Sequence, residues 1–159
     1  MDKILEMFNP HGVEYILFGG MNFLLRHAPV LTFDIGFWIN DTLENLMRCE
    51  TALAELDASW GATDDEWGKV AKLNPGWLSR QIIFCTMSPH GAIDIFRAVK
   101  GLEDWKKSAS AAARENTAGG TEYLGLSDED MLKCQYALDE NLRKQDRIRI
   151  LEKSGTGHE

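Results

Sequence analysis

The chain has 159 residues, a length that suits one domain with a real hydrophobic core. Hydrophobic residues make up 44% and charged residues 26%, so the composition excludes wholesale disorder. With 17 Lys and Arg against 25 Asp and Glu, the net charge of −8 argues against a surface that grips nucleic acid mainly by neutralising phosphates.

Helices and short strands are predicted to alternate along the chain. Apolar residues at helical spacing predict helices over 4–8, 21–26, 41–56, 102–114, 127–138 and 142–151. Apolar or alternating runs predict strands over 13–18, 33–39, 82–86 and 92–96. Asp41 and Ser127 are predicted to cap the helices that follow them. The polar stretch from Gly61 to Gly76 is predicted to be a loop. One domain is expected over residues 1–153, followed by a flexible tail over 154–159.

Two features favour a cytoplasmic protein without membrane association. The first twenty residues lack the basic start and long apolar stretch of a signal peptide, and no apolar run is long enough to span a bilayer. The three cysteines are an odd number at wide spacing, which favours buried thiols over disulfides or structural zinc. Cys85, on a predicted strand, is expected in the core, whereas His27 and His90 are expected at the surface.

Two glycines, Gly19 and Gly20, follow the first predicted strand and lead into a helix. Glycine lets the backbone approach a phosphate closely, and the first amides of a helix point toward such an anion. The pattern therefore predicts a phosphate site. Glycine also ends strands for steric reasons, so the two residues carry little weight until the next strand is considered.

Asp34 and Asp94 each lie in a predicted strand between large apolar neighbours. Because side chains alternate along a strand, both carboxylates should point away from the core that those neighbours enter. Aspartate is uncommon in strands, which favours a functional role over a solvated sheet face. On adjacent strands the two carboxylates would converge and could hold a hard cation such as Mg²⁺ against phosphates. Trp38 shares the face of Asp34 and is expected to pack against a helix rather than stack on a base.

A longer motif surrounds these residues. The stretch VEYILFGGMNFLLRHAPVLTFDIGFWI resembles the core motif of small bacterial nucleotidyltransferases, including those of toxin–antitoxin systems. That motif is a strand, Gly-Gly, a short helix and a Pro-Arg-x-Thr-x-Asp-x-Asp strand. A third carboxylate follows on a later strand between apolar residues, as Asp94 does here. The stretch LSDEDMLKCQYALDENLRKQDRIRIL is similar to the closing helices of the family, with Lys133, Arg143 and Asp146 at the recurring positions.

The resemblance implies a nucleotidyltransferase fold of the α/β (α+β) class, with a small mixed β-sheet flanked by helices. It also implies an enzyme that transfers a nucleoside monophosphate from an NTP to an acceptor, which could be a small molecule, RNA or a protein. The nucleotide-binding residues would be Gly19, Gly20, Thr32 and Lys133. Asp34 and Asp94 would be catalytic and would bind Mg²⁺ or Mn²⁺.

Two positions depart from the family motif: Gly36 replaces its second aspartate, and Val30 replaces its arginine. Loss of a carboxylate predicts weak or single-ion metal binding. It leaves open a reduced-metal enzyme and a catalytically inactive relative that binds a nucleotide or a protein partner. Because Gly36 has no side chain, we expect extra room there. Because glycine is unfavourable inside a strand and an aspartate at a cleft edge stays hydrated, we expect a small cost for Gly36→Asp.

Overall fold

The computed structural model describes residues 1–19, 22, 27 and 34–156, and these residues form five helices and eight strands. The helices are α1 (Asp2–Phe8), α2 (Leu43–Glu55), α3 (Trp105–Ala111), α4 (Asp128–Ala137) and α5 (Gln145–Thr156). The strands are β1 (Tyr15–Phe18), β2 (Asp34–Ile39), β3 (Ser59–Trp60), β4 (Gly68–Lys69), β5 (Ile83–Ser88), β6 (Gly91–Phe96), β7 (Ala113–Asn116) and β8 (Glu122–Gly125). Within the described part of the chain, no helix is both long enough and apolar enough to cross a membrane.

The eight strands form one mixed sheet in the order β4-β3-β5-β6-β2-β1-β8-β7. At its centre, β1 pairs antiparallel with β2, and β2 pairs in parallel with β6. The other edge of β1 pairs in parallel with β8. The predicted fold class, a mixed sheet with flanking helices, is confirmed, and the strands that carry the candidate site lie in the middle of the sheet.

One face of the sheet forms the larger core together with α1 and α2. Leu17, Phe37 and Ile95 alternate out of the central strands onto this face and are completely buried. The ring of Phe37 contacts those of Phe8 and Tyr15, with centroids 4.7 and 5.2 Å apart. Burying each large apolar side chain contributes about 1.5–3 kcal/mol, so this face supplies much of the stability of the fold.

The opposite face packs against α3, α4 and α5. Trp38 is buried there, and the indole Nε1 of Trp105 in α3 donates a hydrogen bond of 2.8 Å to the carbonyl oxygen of Trp38. The expectation that Trp38 packs against a helix is therefore confirmed. The buried members of this second cluster are Ile16, Trp38, Val99, Leu126, Met131 and Leu151.

The cap of α2 differs from the prediction by one residue. Thr42, rather than Asp41, is the N-cap, and its hydroxyl accepts a hydrogen bond of 3.2 Å from the amide of Asn45. Asp41 instead forms an ion pair with Arg97, with Oδ1 2.9 Å from Nε. The predicted cap at Ser127 is confirmed, because its hydroxyl accepts from the amide of Asp130.

The region between α2 and β5 contains two strands that the predicted loop did not include, β3 just before it and β4 within it. A buried carboxylate organises the end of this region: Glu50 accepts hydrogen bonds from the amides of Gly76 and Leu78, at 2.8 and 3.1 Å. Trp60 and Trp77 stack with their ring centroids 5.5 Å apart. The segment is thus fixed by side chains of α2 and by aromatic packing.

Three further boundaries differ from the sequence prediction. Helix α3 ends at Ala111 instead of 114, because residues 113–116 form β7 and pair with β8. Helix α5 continues to Thr156 instead of ending at 151. The helix predicted over 21–26 lies outside the described residues, apart from the helical residue Asn22.

Candidate functional site

The pairing of β2 with β6 positions the two candidate carboxylates. Gly36 pairs with Asp94, and Asp34 pairs with Ala92. Paired residues share a face of the sheet, as do residues two apart in one strand, so positions 34 and 94 are diagonal neighbours on the same face. The predicted adjacency of the two strands is confirmed. The catalytic and metal-binding roles of Asp34 and Asp94 stay predictions.

The space beside Gly36 is filled by Phe18. A β-carbon at residue 36 would lie 3.2 Å from the carbonyl oxygen of Phe18 and 3.3 Å from its Cε1 atom. Phe18 pairs with Gly36 across the two strands, and its ring packs edge-on against Phe96 with the centroids 4.8 Å apart. The expected extra room at Gly36 is wrong for this reason. The contact argues for a larger cost of Gly36→Asp than the sequence predicts.

The strand registers arrange this face in rows that run across the sheet. One row contains Cys85, Asp94, Gly36 and Phe18. Asp94 is half-buried, whereas Cys85 is exposed, so the expected core position of Cys85 is wrong. Phe84 and Thr86 are the buried residues of that strand, which assigns the thiol to the opposite face. The next row, Ile83, Phe96, Trp38 and Ile16, is entirely apolar.

Gly19 ends the strand that carries Phe18. It has a φ of +80°, a conformation that favours glycine, and apart from its chain neighbours no heavy atom of the described residues lies within 4 Å of a β-carbon built there. The turn therefore has a backbone reason to contain glycine and also leaves room for a ligand. Gly20 and Thr32, the other predicted nucleotide-binding residues before β2, lie outside the described residues.

Lys133 lies on α4, where its side chain is half exposed. Its ammonium is 3.7 Å from Asp130 and 3.8 Å from Glu129, both on the same helix. Met131 and Cys134 of α4 line a cavity against the sheet, and Lys133 is not among the described residues that line it. The structure therefore does not bring Lys133 to that cavity, and its nucleotide-binding role stays a prediction.

The two residues of the Arg-x-x-Asp motif, Arg143 and Asp146, form contacts within the C-terminal helices. The guanidinium of Arg143 donates to the carbonyl oxygens of Leu138 and Tyr136, both at 3.1 Å, and so satisfies acceptors at the end of α4. Asp146 forms an ion pair with Arg149 one turn later in α5. These contacts give both residues a structural role.

His27 forms a contact that the sequence did not predict. Its Nε2 atom lies 2.7 Å from Oδ1 of Asp128 in the first turn of α4, and their side chains are only 14% and 20% exposed. His27 is therefore a partly buried partner of a carboxylate instead of an ordinary surface residue. The pair joins the segment between β1 and β2 to α4.

The cavity between the sheet and the C-terminal helices has a volume of about 280 Å³. No sequence signal marked it, because its wall is assembled from distant parts of the chain. Its charged residues, among those described, are Lys100 and Arg147. The described lining residues are Phe18, Gly19, Ile83, Phe96, Ala98, Val99, Lys100, Leu126, Met131, Cys134, Gln135, Leu138, Arg147 and Leu151.

The donor set for a metal ion on the Asp94 face is small. Among the described side chains, no group of three or more His, Cys, Asp or Glu residues is placed to hold a metal ion. The face offers Asp94 and the position of Asp34, and Gly36 adds no ligand. Two carboxylates fit one hard divalent cation that completes its coordination with phosphate oxygens and water.

Comparison with known proteins does not assign this site. No protein-family model matches the chain, and no curated protein is significantly similar to it. The function is therefore inferred from the residues of the chain themselves.

Proposed function

We propose that this protein is nucleotidyltransferase-like, that it binds an NTP with one divalent ion, and that it has lost nucleotidyl transfer. The contact between Phe18 and Gly36 carries the proposal. At the position where the related motif has its second metal aspartate, this chain has no carboxylate, and the Phe18 ring takes up the space. The site thus lacks the ligand, and a side chain at residue 36 would crowd Phe18.

The binding half of the proposal rests on the features that remain. The Asp34 position and Asp94 are diagonal neighbours on one face, and Gly19 ends the adjacent strand with open space between it and the other described residues. A divalent ion held by the two aspartates would neutralise phosphate charge on the nucleotide. Gly19 and Gly20 would allow the triphosphate to approach the backbone closely.

The proposed loss of nucleotidyl transfer follows from the number of metal ligands. Nucleotidyl transfer by two ions uses one to activate the acceptor and one to stabilise the departing pyrophosphate. With one carboxylate fewer, the face can hold one ion at most between Asp34 and Asp94. Binding then survives the loss of the second aspartate, whereas transfer does not.

Calorimetry with ATP or GTP and Mn²⁺ tests binding. The wild-type chain should bind the metal–nucleotide complex saturably, and Asp94→Asn should weaken binding at least tenfold because it removes a charged oxygen ligand. Gly20→Leu should weaken nucleotide binding without unfolding the protein. Asp65→Asn, which removes a charge from an exposed turn, is the matched control and should bind like wild type. Failure of the wild-type chain to bind any NTP with Mn²⁺ would refute the proposal.

A transfer assay separates the inactive protein from a reduced-metal enzyme. The chain is incubated with α-labelled NTPs, Mn²⁺ and mixed RNA, protein and small-molecule acceptors. We expect no labelled product. Label transfer by the wild-type chain that disappears in Asp94→Asn would identify an active enzyme. It would overturn the proposed loss of transfer but not the proposed nucleotide binding.

A further inference from the structure

The cavity between the sheet and the C-terminal helices is poorly suited to a nucleobase. Its wall is dominated by apolar side chains from both the sheet and the helices, including Phe18, Phe96 and Leu151. Gln135 is an uncharged polar residue of the lining, and its Oε1 atom already accepts a hydrogen bond from the amide of Lys144. A nucleobase buried here would leave several of its hydrogen-bond donors and acceptors unpaired. Each unpaired group weakens binding about fivefold or more. The lining therefore favours an apolar ligand body.

The charged residues of the cavity favour an anion. Lys100 and Arg147 line it, and the described lining residues include no carboxylate. Lys100 is exposed, whereas Arg147 is half-buried, and burial lowers the pKa of its guanidinium from the usual value. The chain as a whole carries a net charge of −8, so two cations at one apolar cavity are a local feature and not a general property of the surface.

We propose that this cavity binds a small amphipathic anion, whose alkyl or aryl body lies against Phe18, Phe96 and Leu151 and whose carboxylate or phosphate faces Arg147. The volume of about 280 Å³ corresponds to about nine water molecules at their liquid density. An eight-carbon carboxylate, with ten non-hydrogen atoms, is close to this size. The cavity adjoins the proposed nucleotide site at Gly19, which lines it, whereas Asp94 is not among the described lining residues and the anion is assigned to Arg147.

Titration of the full chain with octanoate, hexanoate, octyl phosphate and 1-octanol, followed by calorimetry, tests the ligand class. Octanoate should bind about fifteenfold more tightly than hexanoate, because each buried methylene strengthens binding about fourfold. Octanol should bind at least tenfold more weakly than octanoate, because it lacks the charge that pairs with the guanidinium. Octanoate and octyl phosphate distinguish a carboxylate from a phosphate as the preferred head group. Equal affinity for octanol and octanoate would overturn the proposal.

Two variants on one helix locate the anion. Arg147→Gln should weaken octanoate binding at least tenfold and leave octanol binding unchanged. Arg149→Gln is the matched control, because Arg149 is exposed on the same helix, pairs with Asp146 and is not among the described lining residues. It should bind octanoate within twofold of wild type. Equal losses in the two variants would contradict a head-group site at Arg147.

A cavity-filling variant and a competition complete the test. Cys134→Phe places a ring in the cavity and should abolish binding of both octanoate and octanol, with circular dichroism and thermal melting confirming the fold. Unchanged octanoate binding in this variant would place the ligand elsewhere. ATP with Mn²⁺ should not displace octanoate, and full displacement would make the cavity part of the nucleotide site and overturn the proposal. Failure of ATP to bind at all would refute only the proposed nucleotide function.

Discussion

The Cε1 atom of Phe18 lies 3.3 Å from the point that a β-carbon of residue 36 would occupy. A β-carbon at residue 36 would press on the ring and on the carbonyl oxygen of Phe18, which would have to shift by a few tenths of an ångström. Glycine therefore suits the packing of Phe18 at this position, in addition to marking the loss of a carboxylate.

Substitution of Gly36 should destabilise the protein. Gly36→Ala and Gly36→Asp should each lower the free energy of unfolding by about 1–3 kcal/mol, because the new atoms crowd the ring and carbonyl of Phe18. Urea unfolding followed by fluorescence measures the effect. Gly68→Ala is the matched control, since its β-carbon would have only one neighbour, at 4.0 Å, and its cost should stay below about 1 kcal/mol.

Relief of this crowding should recover a metal ligand. The double variant Phe18→Ala/Gly36→Asp should bind Mn²⁺ more tightly than Phe18→Ala alone, because it adds a carboxylate beside Asp94. Calorimetry with MnCl₂, with and without an NTP, checks the gain. Equal affinities in the two variants would mean that position 36 does not face the ion.

The cap of α2 should depend on Thr42 rather than Asp41. Thr42→Ala should lower the free energy of unfolding by about 1 kcal/mol, because it removes the acceptor for the amide of Asn45. Thr42→Ser keeps the hydroxyl and should restore most of the loss. Asp41→Asn removes only a partly exposed ion pair with Arg97 and should cost less than about 1 kcal/mol. The reverse order in thermal unfolding would restore Asp41 as the cap.

Glu50 should be essential to the region between α2 and β5. Its carboxylate is buried and accepts from two backbone amides, so Glu50→Ala leaves the amides of Gly76 and Leu78 without that acceptor. We expect a loss of about 2–4 kcal/mol in urea unfolding. Glu44→Ala, an exposed position on the same helix, should cost less than about 1 kcal/mol. Similar losses in both variants would contradict the anchoring role.

The thiols of Cys49, which is buried, and Cys134, which is partly buried, should make the protein less stable in alkali. Burial, reinforced by Glu50, raises the pKa of Cys49, and burial beside Asp130 raises the pKa of Cys134 to about 12. An unfolded cysteine ionises near pH 8.5, so the unfolded state loses protons before the folded state does. The free energy of unfolding should therefore fall between pH 8.5 and 10, by up to about 1.4 kcal/mol per pH unit for each thiol.

Urea unfolding at pH 8, 9 and 10 under reducing conditions measures this slope. Cys134→Ala should make the slope shallower, and the additional change Cys49→Ala should remove most of what remains. The Tyr15 hydroxyl, whose pKa burial also raises, adds to the slope only as the pH approaches 10, so comparison with the cysteine variants isolates the contribution of the thiols. A double variant with the wild-type slope would contradict the assignment to these thiols.

The central strands could be predicted from the sequence, whereas the outer strands could not. β1, β2, β5 and β6 contain apolar or alternating runs that reflect their burial. β3 and β4 have two residues each and are too short to display a period of two. β7 has the sequence Ala-Arg-Glu-Asn, and its strand conformation comes from pairing with β8, so the local pattern favoured a continued helix.

The candidate site divides in the same way. Asp34 and Asp94 could be placed on one face from alternation within their own strands. The contact of Phe18 with Gly36 depends on the register between two strands, which no local pattern encodes. Cys85 was misplaced because apolar residues occupy both faces of its strand, which leaves the alternation ambiguous. The cavity could not be predicted at all, since distant segments meet only in the folded chain.

The parallel pairing of β1 with β8 also has a consequence for the order of folding. Leu17 pairs with Gly125, 108 positions later in the chain, whereas β2 follows β1 closely. At a translation rate of about 5–20 residues per second, the edge of β1 that pairs with β8 stays unpaired for roughly 5–20 s until β8 is synthesised. A nascent chain arrested before β8 therefore exposes an unpaired edge at the centre of the sheet, the kind of edge that recruits other strands. The protein should be most vulnerable to aggregation on the ribosome, before its last third has emerged.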